Sequence, residues 1–144
     1  MANNIFDKDD ALDHSSSLIL LFNHSLTPAQ ESDARASLGV GRIIAPPPEL
    51  QEIWSQVPPE ADELSAWLAP LFAWLAATAR PGDCILIQGE FGATCQAVQV
   101  AFGLGLVPVY STTRRDAVEE HTPDGKVHIR HTFSHVRFRH YTCC

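Results

Sequence analysis

The feature that most constrains this chain is the stretch from Gly82 to Thr94, where a short apolar run leads into two closely spaced glycines. Cys84 to Ile87 is continuously apolar, which is typical of a strand buried on both faces of a sheet. Gly89 and Gly92 mark a turn, and the alanine-rich segment that follows has helical periodicity. The stretch therefore predicts a strand, a tight turn and a helix. Ligands of open α/β sheets bind beyond the carboxyl ends of such strands.

The turn itself predicts contact with an anionic, nucleotide-type ligand. Glycine allows a close approach of the backbone, and the free N–H groups at the start of the new helix favour an anion. The alternative is an ordinary turn that needs glycine for its geometry, since the stretch is neither a dinucleotide fingerprint nor a P-loop. For Glu90, three roles stay open: binding a ribose hydroxyl, acting as a base, or facing solvent. The predicted ligand contacts of this turn are Gln88, Gly89, Glu90, Phe91 and Gly92.

Length and composition indicate one globular domain with an acidic balance of charge. We predict a flexible acidic leader at residues 1–16 and a single domain at residues 17–144. The net charge of −7 argues against general affinity for long nucleic acid or acidic membranes, so an anionic ligand needs a local positive patch. The four cysteines form no C-x-x-C pair, and no apolar run approaches about 20 residues. Together with the lack of a signal-peptide pattern, this predicts a reduced cytoplasmic protein without a membrane span.

Apolar runs and helical patterns alternate along the first two thirds of the chain. Strands are predicted at residues 18–22, 42–45, 84–87 and 106–110, with helices between them. Thr27, Pro28 and Gln30 form a helix start of the capping-box type, and Pro70 predicts a kink or two abutting helices. This order predicts an α/β, Rossmann-like, mostly parallel sheet with flanking helices. Its first, third and fourth strands should end at one edge.

The last third of the chain predicts a C-terminal β-hairpin with a cationic face. Asp124-Gly125 is a hairpin-turn signal, and residues 126–131 and 135–141 alternate in strand fashion. From Gly125 onward there are four lysines or arginines and no acid, which supplies a local positive patch. The histidines in this region have opposed faces and no completing cysteine or carboxylate, so we predict no metal and no other cofactor. These histidines are His128, His131 and His135.

Polar residues also follow the first and fourth predicted strands. Guanidinium groups match phosphate oxygens and hydroxyls add short hydrogen bonds, so the segment 112–115 suits a phosphodiester. The alternative is a solvated turn after a strand. The segment 23–25 is predicted to reach the same ligand, with turn chemistry around a partly buried histidine as the alternative. The residues concerned are Thr112, Thr113, Arg114 and Arg115, and Asn23, His24 and Ser25.

Several of these segments together resemble one protein family, the small CRISPR-associated stand-alone ring nucleases of the Csx type numbered twenty. The resemblance runs from about Leu18 to Tyr141. The family commonly has an aspartate where Glu90 stands, so this chain keeps a carboxylate with a longer reach. The resemblance is carried by LFNHSLT at 21–27, LQEIWS at 50–55 with Pro58-Pro59, IQGEFGAT at 87–94, GLVPVY at 105–110 with TTR at 112–114, and HVRFR at 135–139.

The resemblance implies an enzyme of type III CRISPR defence that removes the cyclic oligoadenylate second messenger, with cyclic tetra-adenylate as the expected substrate. It implies a Rossmann-like homodimer with the ring lying across the twofold axis. Each ribose 2′-OH would attack the adjacent phosphorus without a metal, giving linear di-adenylates that end in 2′,3′-cyclic phosphate. Two other function classes stay open: a sensor or sequestering module that binds the ring intact, and a metal-dependent nuclease acting on linear RNA.

On this basis we assign expected roles to individual residues. His24 is the expected proton-transfer residue, and Arg114 and Arg115 are expected to stabilise phosphate charge. Thr113 completes the expected catalytic set. The basic hairpin is expected to cover the ring or to supply further charge. The expected ligand contacts are Asn23, Ser25, Gln88, Gly89, Glu90, Phe91, Gly92, Thr112 and Arg137.

Overall fold

The computed structural model describes residues 15–143, which form an α/β fold with helices on both faces of one mostly parallel sheet. Most of the leader predicted for residues 1–16 lies outside the described residues. The elements in chain order are β1 (Ser17–Phe22), α1 (Pro28–Ser37), β2 (Arg42–Ile44), α2 (Pro48–Ser55), α3 (Ser65–Thr78), β3 (Cys84–Gln88), α4 (Phe91–Gly103), β4 (Val107–His121) and β5 (Val127–His140).

The sheet has the strand order β2-β1-β3-β4-β5. The strands β2, β1, β3 and β4 are parallel, and β5 pairs antiparallel with β4 at the edge. This confirms the Rossmann-like sheet that the alternation of strands and helices predicts. The central strands β1 and β3 are almost wholly buried, which is why their sequences are continuously apolar and do not alternate.

Two apolar layers cover the sheet. On one face, α2, α3 and α4 pack over Ile19, Ile85 and Ile87, and Trp54 of α2 is 1% exposed. On the other face, α1 packs over Leu18, Leu86 and Val109, and Phe138 of the edge strand β5 belongs to the same cluster. No helix within residues 15–143 combines the length and the apolar character that crossing a bilayer requires.

Two of the predicted helix features have clear outcomes. The capping box at the start of α1 is confirmed, because the Thr27 side chain accepts from the Gln30 N–H while the Gln30 side chain accepts from the Thr27 N–H. The alternative of two abutting helices around Pro70 is wrong, since α3 is one continuous helix that has Pro70 as its sixth residue. Pro70 has no N–H to donate to the Ala66 carbonyl, so α3 lacks one internal hydrogen bond at this position.

The fourth strand is much longer than predicted. The sequence suggested that β4 ends at Tyr110 and that residues 111–115 form an exit turn, but the strand continues to His121. Its continuation pairs with β5, and the predicted Asp124-Gly125 turn joins the two, with Gly125 at φ 78°. We call residues 113–135 the arm. The first strand of the arm, residues 113–121, was missed because its charged and short polar side chains do not show an apolar strand pattern. The strands predicted at residues 126–131 and 135–141 belong to one continuous strand, β5, which pairs with β4.

Candidate functional site at the carboxyl edge of the sheet

The strands β1 and β3 end side by side at one edge, as predicted, whereas β4 does not end there but continues past the edge into the arm. Phe22 pairs with Gln88, and Leu86 pairs with Val109, so the residues that follow each strand lie at a similar level. The Gln88 side chain accepts a hydrogen bond from the Ser111 N–H at 2.8 Å. The backbone hydrogen bonds between β3 and β4 end at this level, and this side-chain hydrogen bond adds one further link between the two strands.

The residues after β1 line a groove on the β2 side of this edge. The groove has a volume of about 520 Å³ and is closed on the other side by Pro46, Pro48 and Gln51. The sequence-predicted residues Asn23, His24 and Ser25 are exposed and all line it. The His24 ring packs edge-on against Phe22, with 5.5 Å between ring centroids.

The start of α4 is not an open anion site, so the prediction of free N–H groups there is wrong. Glu90 is the residue that precedes the helix, and its carboxylate accepts from the Ala93 N–H at 2.8 Å and the Gly92 N–H at 3.0 Å. These bonds hold the pKa of Glu90 below its ordinary value. A phosphate would therefore meet a carboxylate at this helix end. Glu90 is exposed, in agreement with the solvent-facing alternative, and its carboxylate caps α4.

Gly89 is required by packing. A Cβ atom at this position would lie 2.8 Å from the indole of Trp54. The same indole donates through Nε1 to the Gln88 carbonyl at 3.1 Å. Gly89 therefore lets a buried tryptophan reach the end of β3. Phe91, the first residue of α4, is 92% exposed and lines a different groove beside Tyr141.

We predict that Glu90→Ala lowers the free energy of unfolding by about 0.5–2 kcal/mol at neutral pH, the usual cost of losing a helix N-cap. Because the folded pKa of Glu90 is depressed, this contribution is present above the unfolded pKa and is lost as the pH falls through the folded pKa. Urea unfolding at neutral and acidic pH measures it, and Glu90→Asp should retain most of the stability. A ligand-binding defect in Glu90→Ala without any loss of stability would contradict the capping role.

The residues predicted to follow β4 lie on the arm instead of in a turn. Arg114 and Arg115 are exposed neighbours in one strand, so their side chains point to opposite faces and cannot grip one phosphate together. Arg115 lies over the Phe133 ring at 5.9 Å and donates to His131. The guanidinium group of Arg114 has no hydrogen bond or ion pair to any other residue in the 15–143 range.

A β-bulge marks the base of the arm. The register shifts between Thr112, which pairs with Arg137, and Thr113, which pairs with His135. The Thr112 hydroxyl donates to the Arg137 carbonyl at 3.0 Å and accepts from the Arg137 N–H at 3.2 Å. Bulges of this kind re-aim side chains and are frequent beside functional sites.

Sequence reasoning missed a chain of polar side chains directly beside the bulge. The Ser111 hydroxyl lies 2.6 Å from His135 Nδ1, and His135 Nε2 lies 2.6 Å from a carboxylate oxygen of Asp33. The Gln30 amide nitrogen lies 3.3 Å from the same Ser111 oxygen. The His135 side chain is only 5% exposed, and Ser111 and Gln30 are buried.

Each proton in this chain can be placed from its partners. The Thr27 N–H fixes the Gln30 amide with its oxygen toward the helix cap, so the Gln30 nitrogen donates to Ser111. A carboxylate only accepts, and the hydrogen bond from His135 holds the pKa of Asp33 below its ordinary value. His135 therefore carries a proton on Nε2. In the neutral ring Nδ1 is then an acceptor, and the Ser111 hydroxyl donates to it.

No local motif signals this arrangement. Asp33 and His135 are 102 positions apart, and Ser111 is 24 positions from His135. In the sequence, Asp33 is one of several polar residues of an exposed helix, and His135 is one of seven histidines, so neither stands out. Only the pairing of the full-length β4 with β5 brings them together. Among residues 15–143, no three His, Cys, Asp or Glu side chains form a group suited to a metal.

Comparison with known proteins gives a family. The model of one family, described as the Uncharacterized protein MJ1673 family, matches residues 16–139. The chain belongs to the MJ1673 family. The Uncharacterized protein MJ1673 of Methanocaldococcus jannaschii is 45% identical to it over 124 residues, which are 86% of this chain and 95% of that protein. The span of the MJ1673 family match includes β1, the carboxyl edge and the arm. No solved structure matches the chain significantly.

Proposed function

We propose that this protein is a ring nuclease that binds and cleaves cyclic oligoadenylate, with cyclic tetra-adenylate as the substrate. The proposal starts from the segments LFNHSLT, IQGEFGAT and TTR. Those segments resemble CRISPR-associated ring nucleases. The observation that carries it is the common edge at which β1 and β3 end and β4 leaves the parallel ladder, because the first two segments span the ends of β1 and β3, and TTR follows the last β4 residue that pairs with β3. A ligand at this edge meets polar residues from each of them.

The charge at the edge supports a phosphodiester ligand despite the net charge of −7. Arg114 and Arg137 lie at the base of the arm, next to the strand ends, and both are exposed. Arginine binds phosphate oxygens through paired N–H groups without needing a metal. In this proposal Arg114 stabilises the phosphate charge that develops during cleavage. Thr112 is committed to the Arg137 backbone, so it contributes mainly by fixing the bulge.

The substrate supplies its own nucleophile. Each ribose 2′-OH is bound next to the phosphorus that it attacks, and well-oriented intramolecular groups reach effective molarities of ~10⁵–10⁸ M. The protein then has to hold the hydroxyl in line, stabilise the phosphorane oxygens and move one proton. The proposed products are linear di-adenylates ending in 2′,3′-cyclic phosphate.

The arm supports the homodimer that the proposal requires. One face of the arm exposes Val127, Ile129 and Phe133, which are 52%, 62% and 67% accessible. A two-stranded hairpin is marginal in water without a third element, and contiguous exposed apolar side chains mark protein–protein contacts. In the proposed dimer this face packs against the second chain. A twofold axis then presents the same strand ends twice to a ring with twofold symmetry.

We predict that Ile129→Ser with Phe133→Ser weakens the dimer by at least about tenfold, since each buried apolar side chain is worth about 1.5–3 kcal/mol. Light scattering over a concentration series measures the dissociation constant. The matched control is Val118→Ser, because Val118 is 46% exposed on the opposite face of the same arm. Equal effects of the two changes, or a wild-type monomer at all concentrations, would contradict the proposed interface.

Native mass spectrometry with cyclic tetra-adenylate tests the proposed function. We expect one ring, or its two di-adenylate products, per two chains. Recovery of bound but intact ring after long incubation identifies the sensor or sequestering module instead. Cleavage that appears only when manganese is added favours a metal-dependent nuclease. Failure to bind the ring at micromolar protein concentration rejects the proposal.

A further inference from the structure

We infer that the groove between α4 and residues 141–143 is the base-binding part of the proposed site, in which an adenine of the cyclic oligoadenylate stacks on Phe91. This inference rests on the proposed function, and it adds the recognition of the base, which phosphate contacts do not provide. The groove has a volume of about 450 Å³, within the range of about 300–1,000 Å³ that is usual for small-molecule sites. The α4 residues that line it are Phe91, Thr94, Cys95, Val98, Gln99 and Phe102.

The exposure of Phe91 supports this role. At 92%, it is the most exposed large apolar residue in the described part of the chain, and it lies at the carboxyl edge directly after the Glu90 cap. Single apolar side chains on a surface are ordinary, but Phe91 lines a groove together with two further aromatic residues, Phe102 and Tyr141. Stacking of a base requires an aromatic ring with a free face. Phe91 provides such a ring at the proposed site.

The other wall of the groove is held in place and leads to an arginine. The Tyr141 hydroxyl donates to the Ile87 carbonyl at 2.7 Å, which fixes the ring of Tyr141 against the sheet. Its centroid lies 4.8 Å from that of Tyr110. The guanidinium of Arg139, an exposed residue, lies 5.6 Å from the Tyr110 ring centroid and donates to the Tyr110 hydroxyl at 3.2 Å. A base in the groove therefore has a cation for its phosphate beyond the two tyrosines.

The groove and the proposed phosphate contact of β4 belong to the same face of the sheet. Val109 lies in the cluster under α1, so the alternation along β4 places Tyr110 and Arg114 on the opposite face, the one that α4 covers. The contact between Tyr110 and Tyr141 agrees with this, since Tyr141 packs against the α4 cluster. The extra residue of the bulge lies in β5, so the alternation along β4 continues through it.

Charge distinguishes this groove from its neighbour on another side of α4. The neighbouring groove is lined by Asp62, Glu63 and Glu90, which would repel a phosphate. The lining residues that the structure describes for the groove beside residues 141–143 include no charged side chain. This groove therefore combines aromatic walls with a nearby arginine, a combination that binds the base and the backbone of single-stranded nucleotides. An adenylate fits it in both shape and charge.

Titration with 2′-deoxy cyclic tetra-adenylate, which lacks the attacking hydroxyl and stays intact, tests the base contact. We expect Phe91→Leu to lower the affinity by about fivefold to a hundredfold, the usual effect of losing one stacked base, whereas Phe91→Trp should keep or raise it. The matched control is Phe102→Leu, about 16 Å farther along α4 in the same groove, which should bind like the wild type. Urea unfolding should give almost equal stabilities for the Phe91 variants, because the side chain is exposed.

The possible outcomes separate this inference from the proposed function. If the wild-type protein cleaves cyclic tetra-adenylate while Phe91→Leu binds the deoxy ring as tightly as the wild type, the base contact is overturned and the proposed function stands. Equal losses for Phe91→Leu and Phe91→Trp, or for Phe91→Leu and Phe102→Leu, would also overturn stacking on Phe91. A weaker dimer with unchanged ring affinity would assign the groove to the second chain and overturn the inference. If the wild-type protein binds neither ring, the proposed function fails first.

Discussion

We expect Trp54→Ala to lower the free energy of unfolding by about 3–5 kcal/mol, the range seen for large aromatic residues removed from cores. Trp54 is 1% exposed and lies within the cluster formed by α2, α3, α4 and the sheet. Its indole also donates to the Gln88 carbonyl, which would lose its partner. Urea unfolding followed by circular dichroism measures the change. A loss of this size exceeds one third of the stability of many small domains.

The matched control is Trp67→Ala. The Trp67 indole also donates to a backbone carbonyl, that of Ile53 at 2.9 Å, but the residue is 38% exposed. The two changes thus remove the same side chain and the same kind of hydrogen bond, and they differ in burial. We expect the loss for Trp67→Ala to be less than half of the loss for Trp54→Ala. Equal losses would show that Trp54 does not anchor the end of β3.

The second large effect is expected at Arg114. We predict that Arg114→Ala lowers the affinity for cyclic tetra-adenylate and its cleavage rate by about tenfold to a hundredfold, because hydrogen bonds to charged groups contribute about 1.5–3 kcal/mol. Arg114 has no ion pair within the described residues, so its guanidinium is available to a ligand. Titration calorimetry and single-turnover cleavage measure the two effects. Stability should be almost unchanged, since the side chain is exposed.

Two control variants identify the origin of this effect. Arg130 lies on the same face of the arm, farther from the sheet edge, and pairs with Glu120. Arg115 lies on the opposite face and contacts Phe133. Both alanine variants remove one positive charge, so they should weaken binding by only a few-fold. If Arg130→Ala matches Arg114→Ala, the arm attracts the ligand through general electrostatics and Arg114 makes no specific contact.

The central fold was predictable because strands that are buried on both faces need unbroken apolar sequences. The strands β1 and β3 lie between two layers of helices, so their apolar runs are unbroken, and the start of α1 carries a complete capping box. Parallel strands joined by helices then fix which strand ends share an edge. The arm was predictable only in part. Its Asp124-Gly125 turn and the strand at residues 126–131 were predicted, whereas residues 113–121 are exposed and mostly polar or charged, and no apolar periodicity marks them.

The candidate site was only partly predictable for a related reason. Gly89 and Glu90 belong to a motif that looks like a ligand turn, but Trp54 explains the glycine and the helix end explains the carboxylate. Both explanations depend on contacts made in the folded protein, which the local motif does not identify. In the same way, Ser111 and His135 meet only because β4 continues past the sheet edge and pairs with β5. Local motifs identified the edge of the sheet, whereas the polar network at that edge is a product of tertiary pairing.

The most direct measurement is incubation of radiolabelled cyclic tetra-adenylate with an excess of the protein in EDTA, followed by chromatography against synthetic standards. We predict conversion of the ring to linear di-adenylate carrying a 2′,3′-cyclic phosphate, with Arg114→Ala slower by about tenfold or more. A ring that stays intact after long incubation, while the protein remains folded, would contradict the account.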